Sequence, residues 1–486
     1  CCIFRGNMQQ GEVLMNVMER KIDTLLAKWL TATTEREASN VHKCLLIQGM
    51  RQTGKSFAIR KALSLPLEDP TVLISHPLID GLGNITAIEV NLSINEGLKN
   101  AFEGSSSPEM ILSKIKQDPL FWKADLSLSK EHRVILFVDE IQESPQAIKA
   151  LKFLSFQKYL TVIASGSLLG ISVNSMDLFP TGYVEIVRLF PMDFEEVLWA
   201  KGFEKSDISS YINEIENGKP LLPALHDKLL LTYREYIISG GLPENVAIYI
   251  KEGIDSPALY LNQRSLLHSF ESDIAKYAPK EERIKARQVF DAIPNALSRT
   301  NTRFTYSLLG RGQSSSRYEG ALSWLINAGL IYKVQNLEEP SMPLKAKAKH
   351  NDFKLYLSDT GVLWAMLGNG NANNILDPSS TFQKGMFYEN STADILEMSK
   401  TFDERDVYYF GRNSTLEVDF LIETSDKALI VEAKSFLNTK SKSVTTLMRE
   451  YPDLYAAKIS PKNPGKDGKL YLLPHYCLPF LDRIVK

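Results

Sequence analysis

Two groups of residues in this chain have the types and spacing that phosphate chemistry requires. The tighter group is GMRQTGKS, residues 49–56, which fits the pattern GxxxxGK[ST]. Gly49 and Gly54 let the backbone curl, so that the N–H groups of Met50, Arg51, Gln52, Thr53 and onward to Phe57 converge on phosphate oxygens. Lys55 brings positive charge to the β- and γ-phosphates, the Ser56 hydroxyl suits Mg2+, and a helix N-terminus adds its dipole. The strand-like CLLIQ before it and the helical SFAIRKAL after it are the context that gives the pattern meaning. Upstream of a second helical run lies VILFVDE (134–140), whose apolar residues put Asp139 and Glu140 at the C-terminal tip of a central strand. There Asp139 would hold Mg2+ through water and Glu140 would polarise an attacking water. A bare helix cap by Asp139 and Glu140 is the blander alternative. TVIASGS (161–167) then brings Ser165 and Ser167 to where a γ-phosphate sensor is expected. Together these residues point to ATP and Mg2+ as the ligands of a hydrolase.

The second group is LEVDFLIETSDKALIVEAKS, 416–435, two strand-like runs about a polar turn. Strand side chains alternate faces, so Glu432 and Lys434 point the same way, and Asp419 sits on the partner run opposite Val418, Phe420 and Ile422. Two carboxylates in an apolar setting repel each other and resist desolvation unless a cation joins them. Mg2+ suits such oxygen ligands, and Lys434 could orient a water or steady a developing phosphorane charge. The alternative is a solvated hairpin with an Asp–Lys or Glu–Lys pair.

These sites need elements to position them. Residues 18–38 are expected to form a helix on the spacing of Ile22, Leu25, Leu26, Trp29 and Leu30. Apolar runs at 44–49, 87–93, 134–140, 161–167 and 183–189 alternate with helical stretches, which predicts a parallel sheet covered on both faces. EGSSSPEM (103–110) reads as a loop. Residues 193–280 read as helices interrupted at 216–223 and 239–244. Helical runs at 283–297, 304–310 and 317–328, followed by LIYKVQNL, read as a winged helix, with serines 314–316 as N-caps and Gly329 as C-cap. EEPSMPLKAKAKHND (338–352) reads as a linker.

In order along the chain, GMRQTGKS, FVDEIQESP, ASGSLLG, LFPMDFEEVL, SGGLPE, LSDTGVLWAMLG, GMFYEN and LEVDFLIE…LIVEAKS resemble the segments of prokaryotic AAA+-superfamily P-loop ATPases with a C-terminal domain of unknown function. The resemblance covers roughly residues 20–440. It implies a C-terminal domain of the PD-(D/E)XK restriction-endonuclease fold, with Asp419, Glu432 and Lys434 as its D…ExK residues and Glu389 as the extra acid on its first helix. Many members of that fold bind nucleic acid without cutting it. Relatives carry Gly-Arg where this chain has Gly182-Tyr183, and Arg188 is a substitute arginine-finger candidate.

The expected organisation is α/β and multidomain. It comprises an N-terminal extension without assigned role (1–17), an AAA+-like P-loop parallel-sheet core with its helix (18–192), a helical lid (193–280), a winged helix (281–340), a linker (341–352) and a restriction-endonuclease-like α/β domain (353–486). The chain opens on Cys1, and Met8, Met15 and Met18 are alternative starts.

Composition frames the partners. The chain has 486 residues, 44% hydrophobic and 23% charged, with net charge −2, so any basic surface must be local. Lys280 through Glu319 holds eight Lys/Arg (280, 283, 285, 287, 299, 303, 311, 317) against four acids (281, 282, 291, 319). That points to DNA, with Arg311 and Arg317 at the entering end of the third helix. Leu322, Trp324, Leu325 and Ile326 look like core, so a lid or protein dock is the rival role for this module. The four cysteines show no CxxC spacing and Cys44 lies in an apolar run, which fits a reducing cytoplasm. The seven scattered histidines disfavour structural zinc. No apolar run reaches membrane-span length. Expected partners are therefore ATP, DNA and a second copy of the chain, with no membrane. A nucleotide-dependent switch that binds a partner protein through a catalytically inactive nuclease-like domain is the rival function.

Overall fold

In the computed structural model, residues 18–35, 42–65, 74–76, 84–105, 107–167, 180–367, 371–377, 380, 382–399, 406–412, 416–424, 427–435 and 442–485 are described. They fall into two compact units, 1–190 and 191–486.

In the first unit the apolar runs pair side by side. Strands β1 (Cys44–Gly49), β2 (Ile74–His76), β3 (Asn84–Asn91), β4 (His132–Asp139), β5 (Leu160–Ser167) and β6 (Val184–Arg188) form one sheet in the order β2-β3-β4-β5-β1-β6. The last five are parallel and β2 is an antiparallel edge. Alternate residues feed two separate cores. Leu46, Val90, Leu136 and Val162 face one layer of helices, and Leu45, Ala87, Phe137 and Ile163 face the other. This is why the strands read as unbroken apolar runs. The expected first helix spans Lys21–Glu35, with Ile22, Leu26 and Trp29 buried in the second layer. The expected loop at 103–110 is shorter than read, because Ser107 caps a helix Pro108–Lys116 by accepting from the Met110 N–H at 3.3 Å.

The second unit holds an eight-stranded sheet. Its strands are β7 (Ile331–Leu337), β8 (Ala348–Leu357), β9 (Val407–Arg412), β10 (Leu416–Glu423), β11 (Ala428–Ala433), β12 (Tyr455–Ile459), β13 (Gly465–Asp467) and β14 (Leu470–Leu473), in the order β13-β14-β12-β11-β10-β9-β7-β8. LIYKVQNL, read as the wing, is β7, which pairs antiparallel with β8 on one side and parallel with β9 on the other, its side chains largely buried. Two expectations change here. The run 304–310 is only a short 3-10 turn, Tyr306–Leu309. The linker 341–352 is built into the sheet, since it holds the 3-10 turn Leu344–Lys347 and the opening of β8. The helix after the serines spans Ser315–Asn327, Ser314 makes no side-chain cap bond, and Gly329 has φ 71 just past the helix end.

The helices breaking at 216–223 and 239–244 are present, as Lys205–Glu216, Pro223–Ser239 and Pro243–Glu252. They lie within the second unit. His226 Nδ1 lies 2.9 Å from the Tyr476 hydroxyl, and the Tyr233 hydroxyl 2.8 Å from Ser391 Oγ, both buried. Two of the resemblance segments meet here, where the Gly241 N–H donates to Asp359 Oδ2 at 2.7 Å. Burial pushes the Asp359 carboxyl up to about 6, against the pull of backbone N–H donors from Gly241, Val362, Gly361 and Leu242. Among the described residues no helix is long and apolar enough to cross a membrane. Cys44 and Cys477 are buried free thiols, and burial pushes the Cys44 thiol up to about 12.

Candidate functional site

The loop after β1 closes in five residues, Met50–Gly54. Gly54 takes φ 87 and Gln52 φ 65, and the helix Lys55–Ala62 starts at once, with Phe57 as its third residue. At Gly49 a Cβ would overlap the Leu189 carbonyl oxygen, so glycine is required where the strand ends. Met50 and Thr53 are buried beneath the loop, and Thr53 Oγ1 donates to the Met50 carbonyl at 2.9 Å. Arg51 is half-buried. Arg20, just ahead of the first helix, donates to the Thr53 carbonyl at 3.1 Å and to the Phe190 carbonyl at 2.9 Å.

Lys55 is buried, and its ammonium donates to the carbonyls of Gly49 (3.1 Å) and Met50 (2.9 Å). Burial holds the group down at about 8, against the upward pull of Glu140 and Asp139, and Arg51 adds to the lowering. An entering triphosphate would add counter-charge to that of Glu140 and Asp139.

The acidic strand is brought to the loop by β5, which lies between β1 and β4 in the sheet. Asp139 takes three neutral donors: Ser56 Oγ at 2.9 Å on Oδ1, Ser165 Oγ on the same oxygen, and Asn91 Nδ2 at 2.9 Å on Oδ2. Asn91 stands beside Asp139 in the β3–β4 register. Ser56 and Asp139 are hard oxygen donors from two elements at one point, a donor set that fits Mg2+. Glu140 follows in the left-handed region, φ 53, a conformation uncommon for a glutamate and typical of sites that hold strain for function. Gln142 Nε2 donates to Glu140 Oε2, and Gln142 Oε1 accepts the Ser167 N–H at 3.2 Å. Ser165 thus meets Asp139, whereas Ser167 meets Gln142 through its backbone. Arg188 lies in β6, its guanidinium 4.7 Å from the Phe190 ring centre.

The sheet of the second unit gathers the other candidates. Asp419 and Glu432 are cross-strand neighbours. The Asp419 N–H donates to Glu432 Oε2 at 3.3 Å, and the Ala433 N–H donates to Asp419 Oδ2 at 2.9 Å. A bulge in β10 between Val418 and Leu421 re-aims this stretch. Lys434 Nζ lies 2.7 Å from Glu432 Oε1. Burial and then the like charges of Glu432 and Glu389 hold the Asp419 carboxyl well above the usual range. Glu389, on the helix Gly385–Met398, accepts on one oxygen from Tyr356 (2.7 Å), Lys354 (3.1 Å) and Thr302 (3.2 Å).

Lys354 is 1% exposed and also pairs with Glu417 at 2.9 Å. Burial alone would lower its ammonium, but Glu389 and Glu417 reverse that and raise it. Lys458 sits beside Glu432 in the β11–β12 register. Glu389, Asp419, Glu432 and Lys434 are therefore assembled in one neighbourhood, already threaded by lysines. Among the described residues no group of three or more His, Cys, Asp or Glu is arranged to hold a metal ion.

The expected basic face of 280–319 is smaller than its count. Arg287 pairs with Glu271 and Asp291 (2.7 and 2.6 Å), Lys285 with Glu282 (2.7 Å), and Arg303 lies 3.6 Å from both Asp352 and Glu417. Arg311 and Arg317 are exposed, and Leu322, Trp324 and Leu325 are core.

Sequence reasoning missed Arg20, Asn91, Gln142, Lys354 and Lys458. Two left a signal. Asn91 is the polar residue ending the apolar run AIEVN, and Lys354 interrupts the apolar FKLYL as Glu432 and Lys434 interrupt theirs.

Residues 41–198 match the family model described as AAA domain, and residues 230–373 match one described as Domain of unknown function (DUF8612). No curated protein matches the chain. Among solved structures it is similar to C. elegans PCH-2, at 13% identity over 50% of this chain and 61% of that one, TM-score 0.27. It is also similar to Drosophila ORC bound to DNA, at 11% identity over 70% and 92% of the two chains, TM-score 0.29. A third is the Aeropyrum pernix ORC1 protein in complex with DNA, at 13% identity over 72% and 92%, TM-score 0.27. The parallel five-stranded sheet and its glycine-bent loop agree with the match of residues 41–198 to the AAA domain model.

Proposed function

We propose that the chain is an ATP-binding and ATP-hydrolysing AAA+-like enzyme that needs Mg2+ and whose cycle serves an action of the second unit on DNA. One observation carries the reading: Ser56 of the loop and Asp139 of the acidic strand share a hydrogen bond, with Glu140 next in the chain. The loop amides and Lys55 would bind the triphosphate, and Ser56 and Asp139 would hold the metal. Bound Mg2+ supplies charge neutralisation at the β- and γ-phosphate oxygens. Glu140 orients and polarises the attacking water, accepting its proton as the oxygen bonds to the γ-phosphorus while the bond from that phosphorus to the β,γ-bridging oxygen breaks and ADP leaves. Ser165 supports Asp139, and Ser167 fixes the neighbouring strand tip. Glu140→Gln should lower turnover by about 10²- to 10⁴-fold while ATP binding, measured by calorimetry, persists. Equal turnover in wild type and variant would refute the reading.

DNA as partner rests on exposed Arg311 and Arg317. ATP and a second copy of the chain complete the proposed partners, and free buried Cys44 and Cys477 agree with a cytoplasmic setting. In this reading the assembled Asp419, Glu432 and Lys434 act as a Mg2+ nuclease centre. A second reading is favoured by the Lys354 network: a nucleotide-dependent switch whose nuclease-like domain cuts nothing and binds a partner protein. Cleavage of plasmid and single-stranded DNA with Mg2+, comparing wild type with Asp419→Ala and Glu432→Ala, separates them. Loss in both variants supports the nuclease, and an identical low rate in all three supports the switch.

A further inference from the structure

Glu140 can act as a base only if its carboxylate is aimed, and its own backbone does not aim it. The residue sits past the end of β4 with φ 53, ahead of the single 3-10 turn Ile141–Glu143. The residue is half-buried. The chain supplies a clamp two residues later. Gln142 is buried, and its carboxamide is fixed at both ends: Oε1 accepts the Ser167 N–H at 3.2 Å, and Nε2 donates to Glu140 Oε2. The amide orientation follows from this pairing. The Ser167 N–H can only donate, so the oxygen must face it and the NH2 must face Glu140.

Gln142 therefore ties two strand tips together. One is the tip of β4, which carries Asp139. The other is the tip of β5, where Ser167 stands beside Gly49 in the β1–β5 register. A side chain that merely satisfied the Ser167 N–H would need no donor aimed at Glu140.

We infer that Gln142 is a positioning residue for hydrolysis, holding the Glu140 carboxylate toward the nucleotide by a bond whose other end is anchored on the tip of β5 beside the phosphate loop. The inference rests on the proposed role of Glu140 as base. It adds that the aim of the base is set by the β5 tip, so a shift of that tip on nucleotide binding is transmitted through one carboxamide.

Two variants test it in the full chain. Gln142→Glu keeps an acceptor for the Ser167 N–H and replaces the donor facing Glu140 with a like charge. Gln142→Met keeps the length and removes both bonds. For Gln142→Glu, kcat for ATP should fall about ten- to a hundredfold, the scale on which small misplacements act. The dissociation constant for ATP, measured in the Glu140→Gln background to prevent turnover, should stay within about twofold of its value without the Gln142 change. Gln142→Met should lower kcat at least as far. If Gln142→Glu turns over like wild type, or if kcat falls only in step with weaker ATP binding or lost folding, the inference is overturned. Failure of the parent reading looks different: Glu140→Gln alone would then retain wild-type turnover.

Discussion

The two charged clusters solve opposite problems. At the phosphate loop, charges are left for something else to neutralise. Lys55 leans on two carbonyls, and Asp139 takes its hydrogen bonds from a serine, a second serine and an asparagine, all neutral. In the second unit, carboxylates are matched to the chain's own cations, Glu389 and Glu417 to Lys354 and Glu432 to Lys434. A cluster built on neutral donors is incomplete until an ion and an anion arrive. One built on internal salt bridges is complete at folding, and an incoming metal must displace an ammonium. The proposed function assigns ligand exchange to the first. In the second, backbone N–H groups add to the ion pairs, from Ala433 to Asp419 and from Asp419 to Glu432.

The largest test of this contrast is Lys354→Met. It removes the buried cation shared by Glu389 and Glu417, leaving Glu417 only the longer pair with Arg303, and should cost about 3–5 kcal/mol in urea unfolding of the second unit; a loss below about 1 kcal/mol would mean the network is not compensating charge. Asp359 sharpens the point, because it is buried in the same unit with backbone N–H donors. Its folded value, about 6, exceeds the ordinary 3.8, so the stability it contributes is full below that ordinary value and is lost as pH rises through about 6. Asp359→Asn should therefore remove about 3 kcal/mol of pH dependence between those limits, read as the difference from wild type.

At the loop the sign concerns binding. Lys55 is neutral above about pH 8 in the free protein, and a bound triphosphate restores its charge. ATP affinity should then fall about tenfold per pH unit above that point, with proton uptake visible by calorimetry in buffers of different ionisation enthalpy. A flat profile would place the ammonium elsewhere. The smallest effect belongs to Asn91→Leu, which removes one neutral donor from Asp139 and should cost about 1 kcal/mol in unfolding. A cost as large as that of Lys354→Met would erase the distinction between the clusters.

Much of the first unit was legible because its signals are contiguous. A glycine-bent loop directly joins a strand to a helix, and an apolar run ends in Asp139-Glu140. The boundaries at 216–223 and 239–244 were equally local. What could not be read was which strands lie side by side. Asn91 acquires meaning only because β3 neighbours β4, and Gln142 only because the β5 tip reaches it. In the second unit β7 pairs with β9, about seventy residues later. No local pattern shows that such a strand also has a partner so far along the chain. Lys354 lay in an apolar stretch just past the expected linker, and its partners Glu389 and Glu417 come from a different helix and strand. The eight basic residues of 280–319 could be counted, but not the acids at 271 and 352 that neutralise some of them.

The grip of Arg20 on the carbonyls of Thr53 and Phe190 makes the phosphate loop and the last residue of the first unit neighbours through a single guanidinium. Removing that guanidinium, as in Arg20→Ala, would leave both carbonyls without this donor and untie the loop from the residue that ends the first unit.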